Sequence, residues 1–120
     1  MFKRRVVITG LGIVAANGLG RQAFWQANIE GKSGIAKITA FDASGLDSQI
    51  CAPVKDFQHL NYIRPEDSRK IDRFVHLGLA ATKDALGDSK IDLAKIDKER
   101  MGVIIGSGLG GVLFHEEQIM

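Results

Sequence analysis

The apolar positions of this chain follow two rhythms. Val6, Val7 and Ile8 form one short β-branched run that Gly10 closes, and Val103, Ile104 and Ile105 form another, followed by Gly106. Such runs predict buried strands over residues 5–9 and 101–105. Between them the spacing is helical. Phe24, Ala27 and Ile29 fall broadly on one side of a helix predicted over residues 21–30, which Gly31 and Gly34 should end. Pro65, Glu66 and Asp67 mark a second helix start, because proline fits a first turn and acids complement its positive end. Ile71, Phe74, Val75, Gly78, Leu79 and Thr82 then recur at three- and four-residue steps. Leu77, Ala80, Ala81 and Ala85 widen that surface, predicting one long, mostly buried helix over residues 66–86, closed by Gly87.

Shorter elements fill the gaps. Residues 18–20 read as a loop, 35–41 as extended or irregular chain and 42–47 as a turn. Residues 49–54 suit a short strand, which Pro53 confines to an edge or an end. Residues 89–100 form a charged connection with room for a helical turn, and another helix begins after GSGLGG, residues 106–111. The order is roughly β-α-(irregular, short β)-α-β-α, which indicates an α/β layer fold. The closing VLFHEEQIM has no capping glycine or polar tail, so the sequence is expected to stop inside an element.

Composition narrows the function. The 120 residues suit one small domain, and a net charge of +2 is too small to imply nucleic acid. The cations cluster at Lys3-Arg4-Arg5 and at Arg69-Lys70 with Arg73. No apolar run approaches membrane-spanning length. The glycine-interrupted start reads as a strand rather than an export signal, which makes the cytoplasm the expected compartment. The single cysteine, Cys51, cannot form an internal disulfide. Its neighbours Ile50, Ala52 and Pro53 supply neither a glycine-rich turn nor a following helix to stabilise a thiolate. Cys51 therefore reads as a small apolar filler, not a nucleophile. His59, His76 and His115 lack ligand spacing, so no metal is expected.

The glycines raise a sharper question. Gly106, Gly108 and Gly111 fit the phosphate-cradling G-x-G-x-x-G pattern, and GLGIVA at residues 10–15 nearly does. That pattern carries weight only inside a βαβ unit with an acid at the end of the second strand. Glu30 lies at the right distance from GLGIVA but within a predicted helix. Close backbone approach or positive φ explains the glycines without a ligand. A dinucleotide-binding module stays as an alternative from another class.

The ordered set VVITGLGIV, FWQANIEGKSGI, FDASGL, VKDF, RKIDRF and GVIIGSGLGG resembles the β-ketoacyl-acyl-carrier-protein synthases, most closely the elongating synthase II kind and its polyketide relatives. The match runs over essentially the whole chain. The resemblance implies a thiolase-like fold of two similar α/β halves, usually in a homodimer. Residues 1–120 would be the N-terminal part of the first half, with an incomplete sheet. It also implies decarboxylative Claisen condensation of malonyl-carrier protein with an acyl thioester, in fatty acid or polyketide synthesis. The family's nucleophilic cysteine, two histidines and lysine match no position of this chain, so no catalytic residue is assigned and the chain alone is expected to be inactive.

Two sites follow from the resemblance. Arg69 and Lys70 match the basic patch that receives the acidic acyl carrier protein, while Glu66 replaces a third basic position. The competing reading makes them solvated helix charges with Glu66 and Asp72 as local partners. Leu109, inside GSGLGG, matches a position that lines the acyl pocket near the dimer interface; the competing reading is a core leucine. The family needs no cofactor beyond the carrier's phosphopantetheine, and neither a nucleic acid nor a membrane partner. Ala15-Ala16-Asn17 departs from the Ser-Pro often found there, which leaves room for a polyketide-type synthase. A non-catalytic chain-length-factor-like subunit and a carrier-binding fragment without chemistry remain alternatives.

Overall fold

Val14–Ala15 (β1) and Gly18–Leu19 (β2) pair antiparallel, with Val14 opposite Leu19 and Ala15 opposite Gly18. The loop expected over residues 18–20 therefore begins as the return arm of a tight hairpin. Helix α1, Arg21–Ile29, follows, and its end shows why glycine stands there. Gly31 adopts φ 64°, its amide bonds the Asn28 carbonyl, and the Lys32 amide reaches back 2.8 Å to the Ala27 carbonyl. This closure by a left-handed glycine satisfies carbonyls the helix leaves open. Ala36–Lys37 (β3) and Ile50–Cys51 (β4) form a second antiparallel pair, Ala36 opposite Cys51. These elements lie in one compact unit, Ile13–Gln58, of a computed structural model that describes residues 4–120. Lys3, of the first basic cluster, lies outside the described residues.

The second unit joins the segment up to Gly12 with His59–Met120. A 3₁₀ turn at His59–Asn61 leads into α2, Pro65–Ser68, and then α3, Arg73–Ser89. The single helix predicted over residues 66–86 is thus two helices. Asp72 interrupts it: its backbone is extended (φ −74°, ψ 161°) while its carbonyl accepts the first amides of α3 from Val75 and His76. Aspartate is among the residues preferred at that position. Gly87 does not end α3 either. The helix continues to Ser89 and stops at Lys90, which takes the left-handed conformation at φ 55°. The charged connection holds a 3₁₀ turn at Lys98–Arg100, where the Asp97 carboxylate accepts from the Glu99 amide at 3.1 Å. Helix α4, Val112–Ile119, follows GSGLGG as expected.

The centre of this unit is the small-residue face of α3. Ala80 is 0% exposed. Gly10 and Gly12 cross the helix so closely that a Cβ on Gly12 would lie 1.8 Å from the Ala81 carbonyl oxygen, and one on Gly10 2.2 Å from that of Ala85. The Leu11 amide fastens the crossing through a 3.0 Å bond to the Asp88 carboxylate. No side chain can occupy either glycine position without moving backbone.

The two expected buried strands do not form. Residues 5–9 and 101–105 carry no strand pairing, Val6 is 92% exposed and Ile104 100% exposed. β-branched residues favour extended backbone, but a strand exists only through a ladder that pairs its amides and carbonyls. No described residue supplies that partner. The sheets observed are both two-stranded and antiparallel, so the α/β layer expected from the element order is present here as helices with small sheets.

Candidate functional site

The break between α2 and α3 gathers the unit's notable chemistry. Arg69 and Lys70 sit in it, both exposed. Consecutive in sequence, they address different depressions. Lys70 lies on the rim of a groove of about 610 Å³ with Arg64 and Lys83, over an apolar floor that includes Ile71, Val75 and Leu79. Arg69 borders a depression of about 310 Å³ with Asp72, Arg73, Phe114 and Glu117. The carboxylates offered by sequence as local partners are engaged elsewhere. Glu66 stands 3.5 Å from Arg64, which also holds Asp67 at 2.6 Å. Asp72 accepts the Phe114 amide at 3.2 Å. Neither Arg69 nor Lys70 has an ion-pair partner among the described residues.

Histidine contributes more than its spacing suggested. His76, on the first turn of α3, places Nε2 3.1 Å from the Ser68 carbonyl oxygen and 3.3 Å from Ser68 Oγ. A carbonyl can only accept, so Nε2 carries the proton. Ser68 is buried, and His59 stacks on the other ring at a centroid distance of 4.7 Å and an interplanar angle of 8°. These three residues are separated by eight, nine and seventeen positions in sequence. The only signal that could have joined them is Asp72 as a helix start, which turns α3 back along the preceding segment. Among the described residues no cluster of three histidine, cysteine or acidic side chains is placed to hold a metal.

Along the Lys70 groove, Tyr62 donates its hydroxyl to the Asp84 carboxylate at 3.4 Å, and Lys83 donates to the Tyr62 carbonyl. Burial first, then the Asp84 charge and this hydrogen bond, raise the phenol above its ordinary 10.0 and keep it neutral.

Asp72 also decides what GSGLGG can do. Its carboxylate sits at the N-terminus of α4, the place where a helix would receive a phosphate. A pyrophosphate brought there would meet a fixed negative charge. Around Gly106 and Gly108 an added Cβ meets nothing within 4 Å, while Gly110 needs its positive φ of 68° to turn the chain. Ser107 Oγ accepts from the Gly110 amide at 3.1 Å and steadies that turn. Leu109 projects from it, 87% exposed, so it is no core leucine of this unit. The earlier glycines are explained by α3. Glu30 is held by Gln26 at 2.6 Å and by Lys32; the Gln26 bond, then Lys32, lower its pKa. It caps the end of α1 and does not stand at a strand end.

Cys51 lies in β4, half-buried, in a separate pocket of about 350 Å³ formed with Ile38, Phe41, Pro53, Lys37 and Lys55.

The family model described as "Beta-ketoacyl synthase, N-terminal domain" matches residues 3–119. The chain belongs to the β-ketoacyl synthase family. It is 42% identical over 112 residues to 3-oxoacyl-[acyl-carrier-protein] synthase 2 of Vibrio harveyi, covering 93% of this chain and 27% of that protein. The Coxiella burnetii protein of the same name is 43% identical over 117 residues, covering 98% of this chain and 28% of the relative. A putative polyketide beta-ketoacyl synthase 1 of Streptomyces halstedii is 37% identical, over 90% of this chain and 26% of its own. A solved structure titled "The ishigamide ketosynthase/chain length factor" superimposes with a TM-score of 0.69 at 29% identity, covering 79% of this chain and 24% of that one. The chain therefore spans roughly a quarter of the length of the ketoacyl synthases it matches. No helix of the described residues is long and apolar enough to cross a membrane.

Proposed function

We propose that residues 1–120 are the N-terminal part of an elongating 3-oxoacyl-carrier-protein synthase, and that the α2–α3 break is where its acyl carrier protein docks. The condensation has balanced steps. An acyl group leaves the carrier thiol for an enzyme cysteine thiolate. Malonyl-carrier protein loses CO₂, and its carbanion attacks the acyl thioester, forming the C–C bond as the C–S bond to cysteine breaks. The cysteine that would do this matches no position here. What this chain supplies is partner recognition: an acidic carrier is steered by exposed cations that form no ion pair among the described residues. The observation that carries the reading is that Arg69 and Lys70 stand exposed at the break while Glu66 and Asp72 are occupied by Arg64 and the Phe114 amide. No cofactor is needed beyond the carrier's phosphopantetheine, and the working assembly is a homodimer.

Charge reversal tests it. In the full-length enzyme, Arg69→Glu with Lys70→Glu should raise KM for the carrier-bound substrate at least tenfold and steepen with falling salt. An unchanged KM rejects the docking site. Leu109, exposed on its glycine turn, is proposed to meet the acyl chain. Leu109→Phe should shorten the longest acyl group accepted, read from the product profile; an unshifted profile rejects that role.

A chain-length-factor-like subunit is the second reading, because the superimposing structure's title names both a ketosynthase and a chain length factor. Incubating the full-length protein with acyl-carrier protein separates the two. A mass gain of one acyl group on a cysteine supports the synthase, and none supports the subunit.

A further inference from the structure

We infer that His76 is a positioning residue that holds open the helix break displaying Arg69 and Lys70; the inference rests on reading that pair as the carrier-docking cations. In an uninterrupted helix the Ser68 carbonyl would accept from the Asp72 amide, four residues on. Here Asp72 has left helical geometry, and the Ser68 carbonyl accepts from His76 Nε2 at 3.1 Å instead. The imidazole thereby replaces the missing backbone bond at the end of α2, inside a buried spot that would otherwise leave a carbonyl unsatisfied. His59 stacks flat on the imidazole and limits its rotation. With the break fixed, Arg69 and Lys70 face two different depressions. The regular 3–4 apolar pattern from Ile71 to Thr82 runs through position 76 without distinguishing it, so nothing in that periodicity assigns His76 this task.

Four variants of the full-length enzyme test this. His76→Leu removes the donor and should raise KM for the carrier-bound acyl substrate about three- to tenfold, the size of one lost hydrogen bond. Its kcat, and its KM for a carrier-free acyl-pantetheine thioester, should stay within twofold of the parent. His76→Gln keeps an N–H donor and should bring the carrier KM back to within twofold. An unchanged carrier KM in His76→Leu, an equal rise with the carrier-free thioester, or failure of Gln to rescue each overturns the inference. Arg69→Glu and Lys70→Glu, each made singly, separate it from the reading beneath it. If these raise the carrier KM and His76→Leu does not, positioning by His76 falls while docking stands. If they leave KM unchanged, docking falls and the inference with it.

Discussion

Gly12 and Gly78 show how much a single residue's surroundings decide. A methyl group on Gly12 would collide with the Ala81 carbonyl at 1.8 Å, whereas one on Gly78, inside α3, meets nothing within 4 Å. The same substitution should therefore act in opposite directions. Gly12→Ala should cost at least about 1–3 kcal/mol, because backbone must separate from backbone. Gly78→Ala should add up to about 1 kcal/mol by removing glycine's helix penalty. Melting temperatures of the two full-length variants, lower and higher than the parent, check the pair. The sequence legibly offered close approach as a reason for the first glycines. It could not reveal that α3, some 70 residues later, is what they approach.

At the scale of elements, Asp72 is the joint. Its backbone starts α3, and its side chain closes the first turn of α4 through the Phe114 amide. A carboxylate at a helix N-terminus is favoured both by the hydrogen bond and by the helix dipole. Asp72→Ala should cost about 1 kcal/mol and speed hydrogen exchange of the Phe114 amide about fivefold. Asp72→Asn, which keeps an acceptor, should lie between. An unchanged Phe114 exchange rate in Asp72→Ala would remove this link. Periodicity ran straight through the joint because Ile71, Phe74 and Val75 keep helical spacing on both sides of it. The interruption is signalled only by aspartate's preference for helix starts. Helix α1, by contrast, was legible to its last turn, since Gly31 lies directly after it and needs nothing distant to act.

Over the whole molecule, the decisive feature is a pair of apolar segments without strand partners among the described residues, 5–9 and 101–105. Ile104 is 100% exposed and Ile8 82%. Extended, β-branched and unpaired, such segments invite pairing between chains. Residues 1–120 expressed alone should self-associate, and Ile104→Lys should reduce light scattering several-fold by placing a charge on that edge. A monomeric, cooperatively melting parent chain would contradict this. The Arg69 depression belongs to the same level, since it is lined by residues around the α2–α3 break and by side chains of α4, some forty positions later.

Local order was therefore readable from composition and spacing: α1 with its glycine closure, the turn at residues 98–100, a helix after GSGLGG, and a family signature spread over nearly all 120 residues. Each depends on residues within a few positions of one another, or on a series of short motifs that survives without any contact between them. Tertiary structure alone divided the long helix at Asp72, brought His59 and His76 face to face beside Ser68, and left Arg69 and Lys70 without ion pairs among the described residues. It also left two strand-like segments without a sheet. These outcomes turn on which groups meet that are not neighbours along the chain. Hydrogen-bond partners, burial and charge pairing are properties of that meeting and not of the residues taken in order.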